Sequence, residues 1–170
     1  MKIYLAGRVP KGDEEQKIFS DWRARYRNVF ERVFDAEYID PYDRDLDESD
    51  FLLVVGKDCV DMIESSLIIV NAEEKLGAGT AQELVIAKYL KKPVITVLPK
   101  DIPHRRTNIM FNGQPIDDWI HPFIFTFSDF VIEDIEKIEE IKEKIFDTRP
   151  KDISIIDVAV KHFFDFKTGL

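Results

Sequence analysis

A glycine-rich turn followed by a glutamate is the part of this sequence best suited to chemistry. Gly77, Gly79 and Thr80 come after an apolar run at 67–70, and Glu83 lies one helical turn further along. Glycines let a substrate approach the backbone closely, and the start of a helix offers free amide groups. The pattern therefore indicates a ligand site with Glu83 as its carboxylate.

The same residues also have a purely structural interpretation. Gly77 and Gly79 could form only a tight turn, and Glu83 could be an acid that the helix dipole favours near the first turn. The motif lacks both the Lys-Ser/Thr pair of a P-loop and the G-x-G-x-x-G pattern of dinucleotide-binding folds. The sequence therefore argues against ATP hydrolysis and NAD chemistry.

The glycine turn lies inside a predicted βαβ unit. Short apolar runs with β-branched residues predict strands at 67–70 and 93–98, and apolar residues at helical spacing predict a helix at 81–90 between them. Ligands of open parallel sheets bind beyond the carboxyl ends of the strands. Glu83 is therefore expected at the mouth of such a site.

The residues before this unit continue the same alternation. We predict a first strand at 1–7 that ends in a glycine turn, an amphipathic helix at 12–34 with Arg23 on its polar face, a short strand at 37–41 and a helix at 56–65. This order predicts an α/β fold, namely a doubly wound, flavodoxin-like (Rossmann-like) parallel five-stranded sheet with helices on both faces.

The pattern changes after residue 98. Residues 99–120 are polar and rich in turn signals, which predicts a long loop that covers a site. We predict the last strand at 123–127 and amphipathic helices at 132–146 and 152–166. The apolar residues of the final helix exceed what a lone surface helix needs, so we expect it to cover a subunit interface.

Length and charge limit the class of protein. The 170 residues and the 45% hydrophobic content suit a single domain, with a core at 1–98 and the site-covering loop, last strand and C-terminal helices at 99–170. A formal charge of -9 argues against a nucleic-acid partner. We find neither a signal peptide nor a run long enough to span a membrane. We therefore expect a cytoplasmic protein that binds a small molecule.

Metal ligands are not grouped in the sequence. A single cysteine, Cys59, excludes a Cys-based zinc site, and the three histidines are too scattered for a metal cluster. The acidic run at 43–50 lacks the central glycine and terminal glutamate of a calcium-binding hand. We expect no metal and no cofactor.

Three separated motifs together resemble a known family. Tyr4-Leu5-Ala6-Gly7, then Asp58, then Gly79-Thr80-Ala81-Gln82-Glu83-Leu84 resemble, in order and spacing, the nucleoside 2-deoxyribosyltransferase family, which includes the 2′-deoxynucleoside 5′-monophosphate N-glycosidases. The resemblance covers residues 1–98. It implies that Glu83 is a nucleophile that attacks the anomeric carbon of the sugar. It also implies that Asp58 protonates the departing base and that Tyr4 orients the nucleophile.

The resemblance also implies how the substrate is held. Gly79 and Thr80 would donate hydrogen bonds to the sugar or its phosphate, and Gly7 and Arg8 in the first loop would meet the 5′ end, where a guanidinium matches phosphate oxygens. The family assembles as homodimers or larger homo-oligomers in which a neighbouring subunit completes the site. The segment Arg105-Arg106-Thr107-Asn108 or Asn112 could make that contribution, and Asn108 is the substrate-binding candidate that we name.

The sequence departs from the family pattern, and other functions stay open. Gly77 stands where the transferases carry another acid, and Ser66 stands where many relatives carry one. The glycine motif also resembles that of nucleoside 5′-monophosphate phosphoribohydrolases. A non-catalytic nucleotide-binding or sensing module is a third possibility. The base, the sugar and the choice between hydrolase and transferase stay undetermined by the sequence.

Overall fold

Short aliphatic runs form the strands of a parallel sheet. The structure is a computed structural model that describes residues 1–42 and 46–169. Its strands are β1 (Lys2–Ala6), β2 (Glu37–Ile39), β3 (Leu67–Asn71), β4 (Val94–Val97), β5 (Arg105–Phe111), β6 (Gln114–Ile120) and β7 (Phe130–Ile132). Five of them pair in parallel in the order β2-β1-β3-β4-β7. This order is flavodoxin-like, as the alternation of strands and helices predicted.

Helices cover both faces of this sheet. They are α1 (Gly12–Ile18), α2 (Trp22–Val33), α3 (Phe51–Glu64), α4 (Ala78–Tyr89), α5 (Pro122–Phe127), α6 (Ile138–Asp147) and α7 (Ile155–Thr168), with a 3₁₀ turn at Ile135–Lys137. Alternate strand residues face opposite ways, so that Leu5 packs with α2 and α6 and Ala6 packs with α3, α4 and α5. No helix in the described ranges has the length and apolar character needed to cross a bilayer.

The predicted helix at 12–34 is wrong, because the chain forms two helices there. The backbone at Phe19, where α1 ends, has an extended conformation. The Asp21 carboxylate then accepts a hydrogen bond from the Arg23 amide at the start of α2. An aspartate that caps a helix fixes a new start in this way. The helix before β3 likewise begins earlier than predicted, at Phe51, because Asp50 caps it. Residues 43–45 of the acidic run lie outside the described residues.

The predicted loop at 99–120 and the strand at 123–127 are also wrong. Residues Arg105–Phe111 and Gln114–Ile120 form an antiparallel hairpin, in which both turn residues, Asn112 and Gly113, have positive φ. Pro122 then starts the helix α5, because proline suits the first position of a helix. The last strand of the sheet is Phe130–Ile132. Ile132 therefore ends a strand, although it was predicted to begin a helix at 132–146.

A buried ion pair joins α4 to the start of β7. The Lys88 ammonium pairs with the Asp129 carboxylate, and their side chains are 0% and 2% exposed. Asp129 also accepts hydrogen bonds from the backbone amides of Val94 and Lys151, both at 2.7 Å. One carboxylate therefore ties together a helix, two strands and the segment before α7.

We expect Asp129→Ala to lower the free energy of unfolding by about 3–5 kcal/mol, because it leaves the Lys88 ammonium buried with a hydrogen bond to the Lys92 carbonyl but without a counter-ion. Urea unfolding followed by circular dichroism measures this. Glu136→Ala, which removes the exposed partner of Arg32, should cost under about 1 kcal/mol. Equal losses for the two variants would show that the buried pair has no special weight.

Candidate active site

The structure brings Tyr4 and Glu83 into direct contact at the carboxyl edge of the sheet. The Tyr4 hydroxyl on β1 donates a hydrogen bond of 2.6 Å to Glu83 Oε1 on α4, across 79 residues of sequence. Tyr4 is fully buried and Glu83 is 9% exposed. Tyr4 therefore fixes the position of a buried carboxylate through one of its two oxygens.

The Glu83 carboxyl has a higher pKa than an ordinary glutamate. Burial raises its pKa from 4.5 to about 7, and the nearby Asp58 charge adds to the increase. The hydrogen bonds from Tyr4 and Thr80 and the positive charge of Arg23 act in the opposite direction. Perturbed carboxyls of this kind concentrate at functional sites.

Asp58 is the second carboxyl of this group. It lies in the middle of α3, whereas the sequence placed it near the start of the helix. Burial raises the pKa of Asp58 to about 6, and no hydrogen bond to its carboxyl is formed within the described ranges. Its charge also raises the pKa values of Tyr4 and Glu83. The three predicted catalytic residues therefore share one electrostatic environment.

The first loop packs closely against the start of α2. A Cβ at Gly7 would lie 2.6 Å from a Trp22 ring atom and 3.2 Å from the Asn71 Cβ, so only glycine fits without a shift. The Trp22 indole N–H also donates to the Arg8 carbonyl oxygen at 3.1 Å. The loop that follows β1 is therefore set at a fixed distance from the end of β3.

A cleft of about 340 Å³ opens beside this loop. It lies between Arg8, Trp22, Asn71 and the segment that leads to Gly77. Glu83 is not among its lining residues. The Arg8 guanidinium, predicted to bind a phosphate, is half exposed and pairs with Glu74 at 3.3 Å and with Glu15 at 3.8 Å. A phosphate at Arg8 would have to displace these carboxylates.

The start of α4 leaves space for a ligand. Gly77 caps the helix, and a Cβ built at Gly77 or Gly79 would meet no atom within 4 Å, so packing does not require glycine at either position. The buried Thr80 directs its hydroxyl to Glu83. Unpaired amide groups at a helix start can bind a hydroxyl or an anion. The glycines therefore keep this surface open.

The predicted set is only partly brought together. Tyr4, Asp58, Thr80 and Glu83 form one group, whereas Gly7 and Arg8 lie in the loop after β1 and Gly79 lies in the first turn of α4. Asn108 is different, because it is exposed on β5 in the hairpin and forms no hydrogen bond to this group within the described ranges. The part of the chain that the structure describes holds no cluster of three His, Cys, Asp or Glu side chains placed for a metal.

Sequence reasoning missed two residues that shape the site. His104 Nε2 accepts a hydrogen bond of 3.0 Å from the Leu76 amide, and burial lowers the His104 pKa, which favours the neutral ring that this bond requires. Arg23 was assigned to a polar helix face, yet it is 1% exposed. Neither residue carries a sequence signal, because both roles come from tertiary packing.

If Glu83 is the nucleophile that the family resemblance implies, Tyr4→Phe should lower kcat by about 10- to 100-fold, because a hydrogen bond to a charged carboxylate contributes about 1.5–3 kcal/mol. Its loss should also raise the pKa of Glu83 and shift the acidic limb of the kcat/KM profile to higher pH. Base release measured from pH 5 to 9 tests both effects. Tyr26→Phe, which removes another buried tyrosine hydroxyl, should leave the acidic limb in place.

No protein-family model matches the sequence, and no curated protein matches it. Solved structures do share its fold. A 2-deoxyribosyltransferase from Bacillus psychrosaccharolyticus superposes with a TM-score of 0.54 at 20% identity, over 89% of this chain and 98% of the other. A conserved protein from Enterococcus faecalis V583 gives 0.59 at 15% identity, over 84% and 98%. At these identities the similarity establishes a common fold.

Proposed function

We propose that this chain cleaves the N-glycosidic bond of nucleosides or nucleotides through Glu83, in the manner of the nucleoside 2-deoxyribosyltransferases. The observation that carries the proposal is the buried Tyr4–Glu83 hydrogen bond with Asp58 in the same electrostatic environment. The fold shared with the Bacillus 2-deoxyribosyltransferase agrees with it. Two carboxyls with different surroundings suit a reaction that needs both a nucleophile and an acid.

The first step breaks the bond between sugar and base. A carboxylate oxygen of Glu83 forms a bond to the anomeric carbon while the carbon–nitrogen bond breaks and its electron pair moves to the base. Asp58 transfers its proton to a base nitrogen, so that the base leaves as a neutral molecule. Positive charge develops on the sugar ring during this step, and the ionised Glu83 stabilises it before the ester forms.

The second step releases the sugar from Glu83. A water molecule or the nitrogen of a second base attacks the anomeric carbon, the ester bond breaks, and its electrons return to the Glu83 carboxylate. The Asp58 carboxylate, now without its proton, accepts one from the attacking group. Water gives a hydrolase and a second base gives a transferase, and both routes use the same residues.

Substrate contacts come from the loops around the two carboxyls. The amide groups of α4 near Gly79 and the Thr80 hydroxyl hold the sugar or its phosphate. Arg8 binds a 5′-phosphate only by exchanging Glu74 and Glu15 for it. Asn108 would contact the substrate bound to a neighbouring copy of the chain.

The predicted homo-oligomer is supported by apolar side chains left exposed on two helices. Those of α3 are Phe51, Leu52, Leu53, Val55, Val60 and Ile63, and those of α7 are Ile156, Val158, Val160, Phe163, Phe164 and Phe166. Contiguous exposed apolar surface of this kind marks interaction sites. Asp58 lies on α3, so a partner on that helix would cover the rim of the site.

Chromatography of free bases tests the proposal. The substrates are deoxynucleosides, ribonucleosides and the 5′-monophosphates of both, each with and without a second base. Release of base from deoxynucleosides or their monophosphates supports the proposal, and formation of a new nucleoside identifies a transferase. Release from ribonucleotides alone would indicate a phosphoribohydrolase. If no base is released while a nucleotide still raises the melting temperature, the chain is a binding module.

A further inference from the structure

Arg23 is a charged side chain in the interior beside the candidate site. It lies in the first turn of α2, is 1% exposed, and stacks its guanidinium over the Trp22 ring at 4.4 Å from the ring centroid. A guanidinium stays protonated even when burial lowers its pKa, as it does here. A fixed positive charge is therefore present inside the protein.

The guanidinium holds the loop that follows β1. Its Nη1 donates to the Arg8 carbonyl oxygen at 3.3 Å, and its Nη2 donates to the Gly7 carbonyl oxygen at 3.5 Å. The Arg8 carbonyl also accepts the Trp22 indole N–H. Two consecutive residues of α2 therefore fix two consecutive carbonyls of the first loop, at the point where β1 delivers Tyr4 to the site.

The charge of Arg23 is only partly balanced by its neighbours. Asp40 Oδ1 lies 3.3 Å from Arg23 Nε and Asp21 Oδ1 lies 3.7 Å from Nη1. Asp40 also pairs with Arg27 at 2.9 Å and accepts the Tyr42 amide. Within the described ranges Arg23 Nε is buried and lacks a hydrogen bond of good geometry. Asp40 is therefore shared between two arginines, and the Arg23 charge also interacts with Tyr4 and Glu83.

We propose that Arg23 is a positioning residue of the site, which fixes the first loop through the Gly7 and Arg8 carbonyls and supplies a positive charge that favours the ionised form of Glu83. This inference rests on the proposed function of Glu83 as the nucleophile. A nucleophilic carboxylate must be charged to react, and burial opposes its charge. The positive charge of Arg23 offsets part of the effect of burial on the Glu83 carboxylate, and it does so without contacting the substrate.

The groups that face Glu83 come from four elements. They are Tyr4 on β1, Arg23 on α2, Asp58 on α3 and Thr80 on α4. Asp58 raises the pKa of Glu83, whereas the other three groups lower it. Arg23 is the one cation among these four, so no other member of the group replaces its charge.

The test measures the pKa of Glu83 directly. Carboxyl-labelled glutamate is followed by ¹³C NMR from pH 4 to 9, and the signal is assigned by its absence in Glu83→Gln. Arg23→Met should raise the pKa of Glu83 by about one unit, because a nearby opposite charge is lost. Arg23→Lys should keep most of the charge effect. Arg32→Met, on the exposed face of the same helix, should change nothing.

Loop positioning has its own kinetic readout. Arg23→Met and Arg23→Lys should both raise the KM for substrate, by about tenfold, because an ammonium does not reproduce the paired donors that hold two carbonyls. The two variants then share the KM effect but differ in the pH profile. If Arg23 only stabilised the fold, Arg23→Met and Arg23→Lys would not differ in their effect on the pH profile.

A second variant keeps the test decisive if Arg23→Met does not fold. Asp40→Asn removes the shared counter-ion and leaves Arg23 in place, so the pKa of Glu83 should fall. An unchanged pKa of Glu83 in the folded Arg23→Met protein, or in Asp40→Asn when Arg23→Met is unfolded, would overturn the inference. NMR needs no turnover, so this result is independent of whether the wild type releases a base.

Discussion

Glu83→Gln is expected to abolish base release, with kcat at least about 10³-fold lower than in the wild type, because an amide cannot form the covalent intermediate. Glutamine has nearly the same shape as glutamate, and its side-chain oxygen can still accept the Tyr4 hydroxyl. Substrate affinity should therefore change little, which isothermal titration can verify. Intact-mass measurement after rapid acid quenching should show a sugar adduct on the wild type and none on the variant.

The same variant should also be more stable than the wild type at high pH. The pKa of Glu83 is raised from 4.5 to about 7, so the unfolded chain ionises first and folding stability falls as the pH rises through this window. The loss approaches about 3 kcal/mol above pH 7, and glutamine does not incur it. A melting temperature that rises in Glu83→Gln at pH 8 but not at pH 4 would identify a residue kept for chemistry at the expense of stability.

Full turnover by Glu83→Gln would remove the nucleophile from the mechanism. An equal loss in Glu74→Gln, which changes an exposed acid of the cleft rim, would show that the effect is not specific to the buried position. The proposal requires the two glutamates to differ.

Asp58→Asn is expected to lower kcat by about 10²–10⁴-fold, because general acid catalysis of leaving-group departure contributes about that much. The loss should shrink with a base that leaves readily without a proton. Base release from substrates with good and poor leaving groups measures the dependence. Asp61→Asn is the matched control, because Asp61 lies on the same helix but pairs with Lys57 at 2.6 Å.

The two carboxyl pKa values predict the shape of the pH profile. Glu83 must be ionised and Asp58 protonated, so activity should rise with pH as one group loses its proton and fall as the other does, with a maximum between about pH 6 and 7. Asp58→Asn should remove the alkaline limb. A variant that keeps this limb would mean that Asp58 is not the acid.

The order of these values has a mechanistic cost. Glu83 has the higher pKa, so in the free protein a single shared proton resides mostly on Glu83, while the proposed chemistry needs it on Asp58. Bound substrate that desolvates Asp58 further would shift the proton in the useful direction.

The sheet was predictable because its strands leave local patterns in the sequence, whereas the Tyr4–Glu83 contact was implied by the family resemblance. Aliphatic runs identified four of the five sheet strands, and the parallel order places the ends of β1 and β3 at one edge. Tyr4 and Glu83 therefore meet as the family resemblance implied. Strands buried on both faces leave a strong signal in sequence.

The errors arose where tertiary contacts override local patterns. The alternating aromatics at 123–127 read as a strand, yet Pro122 starts a helix in which Ile124 and Phe127 are the buried positions. The turn signals at 99–120 were recognised, but the two polar strands there were not, because they pair only with each other, outside the main sheet. Arg23 was placed in solvent because periodicity cannot show that a buried charge has carbonyl partners.

The pair between Lys88 and Asp129 has a consequence for the precision of the site. Lys88 lies five residues after Glu83 on α4, about 7.5 Å along the helix axis, so one rigid rod carries both the anchor and the nucleophile. The Lys88–Asp129 pair fixes the position of α4 along its axis and its rotation about that axis. Loss of the Lys88–Asp129 pair at the amino-terminal edge of the sheet would therefore displace the Glu83 carboxylate at the opposite edge, without altering any residue that contacts a substrate.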